Sequence, residues 1–172
     1  MRPILNLLPD DGILLGMGQV AVRHSHLDYA FTMWIKTIGD ISSAQAVHAS
    51  SLESSSSLRK RVRKLARQRL GDGPELVKLD ALFGEARELS RQRNEFLHAL
   101  WGTDVDASES LRYEDGAWVK PSTKEDLERL AQRLHLVANQ LHELRLHELK
   151  ERLKKQPAKQ PLTTKSKNGV PR

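Results

Sequence analysis

The chain has 172 residues, of which 38% are apolar, 5% aromatic and 29% charged, with no cysteine and a formal net charge of +6. The lack of cysteine excludes disulfides and thiolate metal sites, and no apolar run approaches the roughly 20 residues that a membrane-spanning helix needs. The charge is unevenly spread: residues 154–172 carry Lys154, Lys155, Lys159, Lys165, Lys167 and Arg172 and no acid. The rest of the chain is therefore close to neutral, and the high pI does not mark the body as a polyanion binder.

The apolar stretch in Met1–Asp10 is too short for a signal peptide and lacks a small-residue cleavage site, so a cytoplasmic protein is expected. Ile13, Met17, Val20, His24, Leu27, Phe31, Trp34 and Ile38 then recur at alternating spacings of four and three. That seam predicts a first helix over Asp11–Ile38, weakened early by Gly16 and Gly18 and stopped by Gly39-Asp40. A short second helix is expected over Ser43–His48. The serine-rich run Ser50–Ser57 reads as a loop or a frayed helix start, because serine hydroxyls compete for backbone hydrogen bonds.

A third helix is predicted over Leu58–Leu70, ended by Gly71-Asp72-Gly73-Pro74. Its cations Arg59, Lys60, Arg63, Lys64 and Arg67 have no acid among them in sequence, which makes them candidates for contacting RNA phosphates. A fourth helix is predicted over Pro74–Leu100, with Leu79, Leu82, Ala86, Leu89, Arg93, Phe96 and Leu100 as its seam. Asp115-Gly116 between Leu111–Tyr113 and Ala117–Val119 signals a tight hairpin. Ser122 followed by Glu125 forms a capping-box pattern for a last helix running to Leu153. The expected fold is all-α: an antiparallel bundle of four to five helices over residues 1–153, with a small β-hairpin between the last two long helices. Residues 154–172 form a basic tail without periodicity.

The chemistry concentrates in Arg93-Asn94-Glu95-Phe96-Leu97-His98, late in the fourth helix. Arginine can clamp a phosphate through two parallel hydrogen bonds, and histidine is suited to proton transfer near neutral pH. Asn94 and His98 are four apart and share a face of a regular helix. Arg93 and His98 are five apart, roughly 140° around the axis at about 3.6 residues per turn. Either the helix ends near His98, or the site is assembled from two copies of the chain.

Arg93, Asn94 and His98 match the R-N-x-x-x-H pattern of the HEPN superfamily, and the sequence resembles members of that group of helical-bundle proteins. Arg129 and His135 meet a looser form of the pattern without its asparagine. The resemblance implies a metal-independent endoribonuclease that works as a homodimer on RNA, in a toxin or defence setting with a cognate antitoxin or other partner protein. Arg93, Asn94 and His98 are then its catalytic residues. One branch of the family carries a tyrosine two residues after the histidine. Here that position is Leu100, so regulation through the tyrosine does not transfer.

No metal, cofactor or membrane partner is expected. His24 and His26 point in different directions on a helix. His24, on the seam, reads as a core or interface histidine. His135, His142 and His147 lack a carboxylate-and-histidine pattern suited to zinc. Trp101 reads as packing. The rival expectation is a non-catalytic helical module for dimerisation or partner binding, with Arg93 and His98 structural. A further one is a non-catalytic RNA binder using the third helix and the tail.

Overall fold

The computed structural model describes residues 3–5, 10–104, 110–149 and 151. Among these the chain is mostly helical, with a small antiparallel sheet. Helices α1 (Asp11–Gly39), α2 (Ser43–Ser50), α3 (Ser55–Leu70), α4 (Pro74–Leu97) and α5 (Lys124–Glu143) carry the core, and α5 runs on as a π-helical segment, Leu144–Leu149. No helix among them is long and apolar enough to cross a membrane.

Helix α1 is the central element. Asp10 caps it by accepting from the Ile13 N–H (3.0 Å), and Asp40, left-handed at φ 50°, ends it by donating its N–H to Lys36 O. The predicted seam is the buried face: Ile13, Val20, His24, Leu27, Phe31, Trp34 and Ile38 are all buried, and Met17 is half-buried against them. Side-chain contacts fix the directions of its neighbours. Arg23 meets His135, Trp34 Nε1 donates to Leu141 O (2.9 Å), and Arg145 donates to Thr37 Oγ1 (3.0 Å), so α5 runs parallel to α1. His24 meets Ser90 and Phe31 stacks edge-on against Phe83 (5.6 Å), so α4 runs antiparallel to α1. Lys78–Glu148 (2.7 Å) and Arg133–Glu85 (3.1 Å) make α4 antiparallel to α5 as well.

Strands β1 (Pro3–Leu5), β2 (Leu100–Asp104), β3 (Ser110–Glu114) and β4 (Ala117–Val119) form one antiparallel sheet in that order. The expected hairpin is β3–β4. Its turn holds Asp115 at φ 48° and Gly116 at φ 87°, the two successive positive φ values that make Asp-Gly favourable in a two-residue turn.

Strands β1 and β2 were not expected, and β2 forces a correction. Helix α4 stops at Leu97 instead of Leu100, because the chain from Leu100 pairs with β3 (Leu100 with Tyr113, Trp101 with Arg112). The cap of the last helix also differs. Thr123 and Asp126 form the capping box in place of Ser122 and Glu125, with Thr123 Oγ1 accepting from the Asp126 N–H and Asp126 accepting from the Thr123 N–H. The last helix, predicted to run to Leu153, is α-helical to Glu143, π-helical over Leu144–Leu149 and α-helical at Glu151. Leu153 and the basic tail 154–172 lie outside the described residues.

Candidate functional site

The site is built by the way α4 ends. His98 occupies the C-cap at φ −107°, ψ 3°, its N–H donating to Asn94 O (3.0 Å). Carbonyls of a last helical turn lack intrahelical partners, and Trp101 Nε1 reaches back to Phe96 O (3.4 Å). Trp101 and Phe96 are half-buried against the core, so Trp101 is the packing residue expected. This closure leaves the His98 imidazole exposed where helix gives way to sheet.

An open cleft of about 530 Å³ lies there. Helix α4 and the residue after His98 supply Arg91, Asn94, Glu95, His98 and Ala99; the β3–β4 hairpin supplies Arg112, Tyr113, Glu114 and Asp115. Asn94 and His98 thus share a cleft, as their spacing predicts. Arg93 lies outside its lining, half-buried, and is linked to it through one contact: Arg93 Nη1 donates to Asn94 Oδ1 (2.8 Å). Arg93 Nε is buried without a hydrogen-bond partner. Of the two geometries the sequence left open, the helix does end at His98. Within one chain the trio is nevertheless connected through Asn94 and does not converge on a point.

Sequence reasoning missed two cleft arginines. Arg91 is engaged by Glu88 (2.7 Å) and Glu95, and the hydrogen bonds from Arg91 and Gln92 hold the Glu88 carboxyl down at about 2. Arg112 lies over the Phe96 ring, its guanidinium carbon 5.2 Å from the centroid, and pairs with Glu114. Its Nε is buried and unpartnered. Arg112 alternates with buried Leu111 and exposed Tyr113 along β3, but only the pairing of β3 with β2 brings it to the end of α4.

The α3 cations are divided by the fold. Arg59 Nη1 donates to Ser55 Oγ (2.8 Å) and to Ser90 Oγ (3.1 Å). Ser90 sends its own hydroxyl hydrogen to Ala86 O (2.7 Å), so His24 Nε2, 3.1 Å away, is the donor in that contact. His24 Nδ1 faces Asp28 at 3.4 Å. His24 is thus the core histidine its seam position implied. Arg63 is paired with Asp80 (2.7 Å) and Arg67 with Asp72 (3.2 Å). The missing acids come from α4 and the connecting loop. Lys60 and Lys64 are exposed, with no carboxylate partner among the described residues.

Arg129 and His135 do not come together. Arg129 pairs with Asp126 beside α4, whereas His135 contacts Arg23 in a separate groove of about 1060 Å³ between α1 and α5. Among the described residues no group of three or more His, Cys, Asp or Glu side chains is placed to hold a metal ion. Compared with protein families, curated proteins and solved structures, the chain gives no match.

Proposed function

We propose that the protein is a metal-independent endoribonuclease, a helical bundle of the HEPN type, with α4 antiparallel to α1 and α5, acting as a homodimer on cytoplasmic RNA in a toxin or defence role. The observation that carries this reading is the exposed His98 at the C-cap of α4, sharing a polar cleft with Asn94 while Asn94 Oδ1 takes the Arg93 guanidinium. In the reaction the 2′-oxygen of RNA bonds to the adjacent phosphorus and the bond to the 5′-oxygen breaks, leaving a cyclic phosphate and a free 5′-hydroxyl. One proton leaves the 2′-oxygen and one reaches the 5′-oxygen. His98 carries one of these transfers, as base to the 2′-oxygen or as acid to the leaving 5′-oxygen, worth roughly 10²–10⁴-fold in general acid–base catalysis, and solvent water carries the other. Arg93 stabilises the phosphoryl oxygens, Asn94 orients the site, and Arg112 adds a cation to the same cleft. Arg59, Lys60, Arg63, Lys64 and Arg67 contribute backbone contacts.

The dimer reading is supported by α1. Leu15, Val22 and Tyr29 stand at seven-residue spacing on its outer face and are 57%, 55% and 56% exposed. The small residues Gly18 and Ser25 lie between them, so large and small positions alternate in a way that a second copy of the same helix can complement.

The test is incubation of purified protein with structured and unstructured RNA, with and without chelator, beside His98→Ala and Arg93→Ala. Chelator-resistant cleavage lost in both variants is expected. His98 is exposed and its cap bond is made by the backbone, so its substitution spares the fold. A folded His98→Ala protein that cleaves as well as the wild type refutes the reading. The same apolar stripe favours the second reading, a non-catalytic dimerisation or partner-binding module. Under that reading no RNA is cleaved, and Val22→Glu abolishes association without any other loss.

A further inference from the structure

A second cleft, of about 380 Å³, lies between α3 and α4. Arg59, Lys60, Arg63 and Arg87 line it with a single carboxylate, Asp80, which is engaged by Arg63 at 2.7 Å. Neither Lys60 nor Arg87 has a carboxylate partner among the described residues. Burial holds the Arg59 guanidinium below its ordinary range; Asp28 pulls it up, and the Arg87 cation pushes it down. Like charges gathered in a concavity stabilise an anion that enters it.

This cleft is not isolated from the candidate active site. Gly84, Arg87, Arg91, Asn94 and His98 follow a three-four-three-four spacing along α4, and all five are exposed. At about 3.6 residues per turn they fall within a sector of roughly 80°, and a rise of about 1.5 Å per residue puts Arg87 about 16 Å from His98 along the axis. One unbroken polar face of α4 therefore runs from the cationic cleft to the imidazole. Its middle is neutralised, because Arg91 is held by Glu88 and Glu95. Unpaired positive charge is concentrated at the α3 end.

We infer that the α3–α4 cleft is a backbone-phosphate site for the same RNA strand whose scissile phosphate lies at His98, with the exposed face of α4 as the track between them. The inference rests on the endoribonuclease reading and adds Arg87 to its substrate contacts. At about 3.4 Å per nucleotide along a stacked strand, 16 Å spans about five nucleotides. A dinucleotide reaches only His98, whereas an octanucleotide reaches both ends.

Two measurements test this on the full chain. Binding of a fluorescent octadeoxynucleotide, which lacks the 2′-hydroxyl, is followed by anisotropy across a salt series. Cleavage of an RNA octamer and of an RNA dinucleotide is compared as a ratio of kcat/KM. For Arg87→Ala the octamer should bind roughly tenfold more weakly at low salt, and its log–log salt slope should fall by about one. The octamer-over-dinucleotide preference should fall by a similar factor. Arg87→Lys, which keeps the charge, should restore most of both. Unchanged octamer binding in Arg87→Ala overturns the inference, even in a protein that cleaves RNA. An unaltered length preference does so as well. Octamer binding that depends on Arg87, in a protein that cleaves nothing, supports the phosphate site and removes the nuclease reading instead.

Discussion

Two glycines two residues apart in α1 should respond in opposite directions to the same substitution. Replacing a mid-helix glycine by alanine is worth about 1 kcal/mol of helix propensity where the methyl group meets nothing. At Gly18 an added Cβ finds no atom within 4 Å, so Gly18→Ala should stabilise the fold by about 1 kcal/mol. At Gly16 the same Cβ would lie 2.8 Å from Leu127 Cβ and 2.9 Å from Leu127 Cδ1. Leu127 is fully buried and sits in the first turn of α5, behind its capping box. It cannot swing away, so α1 and α5 must separate. Overpacking of this kind costs about 2–3 kcal/mol, and subtracting the propensity gain leaves Gly16→Ala less stable by about 1–2 kcal/mol. Urea denaturation at a concentration where light scattering reports a monomer gives both values. An increase in midpoint for Gly16→Ala equal to that of Gly18→Ala would refute the close crossing of α1 and α5. Gly18 also lies in the groove between α1 and α5 and on the face assigned to the second copy. The same Gly18→Ala protein should therefore dimerise less well while folding more stably.

Other substitutions test other joints of the fold. Trp34→Phe removes the 2.9 Å bond from Nε1 to Leu141 O, a carbonyl that keeps the Leu144 N–H as a donor, and should cost about 1 kcal/mol in the same denaturation assay. Thr123→Ala removes the cap on the Asp126 N–H and should cost about 1 kcal/mol. The Asp126 carboxyl is held below its usual range, chiefly by the Thr123 N–H. Its folded pKa is therefore lower than its unfolded one, and its contribution is present above about pH 4 and lost as pH falls through the depressed value. Asp126→Asn should flatten that part of the acid limb in urea midpoints taken between about pH 7 and about pH 3.

The parts of this fold that were legible in the sequence are those set by local chemistry. The α1 seam reads directly because a residue every three or four positions faces α4 and α5 along the whole helix. Asp115-Gly116 reads directly because few other pairs accept two positive φ values in succession. The end of α4 is different. Leu97-His98-Ala99-Leu100-Trp101 contains no breaker, and the apolar spacing continues through Leu100. What stops the helix is pairing of Leu100 and Trp101 with Tyr113 and Arg112, more than ten residues on, and no window of local sequence carries that information. The candidate site inherits the same limit. Asn94 and His98 were placed together correctly by helical spacing, whereas Arg112 entered only through strand pairing. The apparent lack of acids around the α3 cations was also a local reading, since Asp72 and Asp80 answer Arg67 and Arg63 from outside the helix. Residues 154–172, which carry the surplus charge, lie beyond this comparison.

Arg112 offers the sharpest separation of structural from functional roles. Its side chain is only 11% exposed, and its Nε is buried without a partner, a deficit that costs about 1–3 kcal/mol for a polar group. Against that stand the contact with the Phe96 ring, worth about 0.5–1 kcal/mol, and the pair with half-exposed Glu114, worth about 1 kcal/mol or less. These terms nearly cancel. Arg112→Met keeps much of the length and removes the unsatisfied N–H, so its stability should lie within about 1 kcal/mol of the wild type. Under the endoribonuclease reading, a guanidinium that does so little for the fold and lines the cleft that holds Asn94 and His98 leaves Glu114 to meet the phosphate. Arg112→Met should therefore lower RNA cleavage at least tenfold while its urea midpoint barely moves. A protein that instead loses several kcal/mol of stability would make Arg112 a structural tie between β3 and α4. Phosphate binding at this end of α4 would then fall to Arg93 alone, which would have to leave Asn94 to reach it.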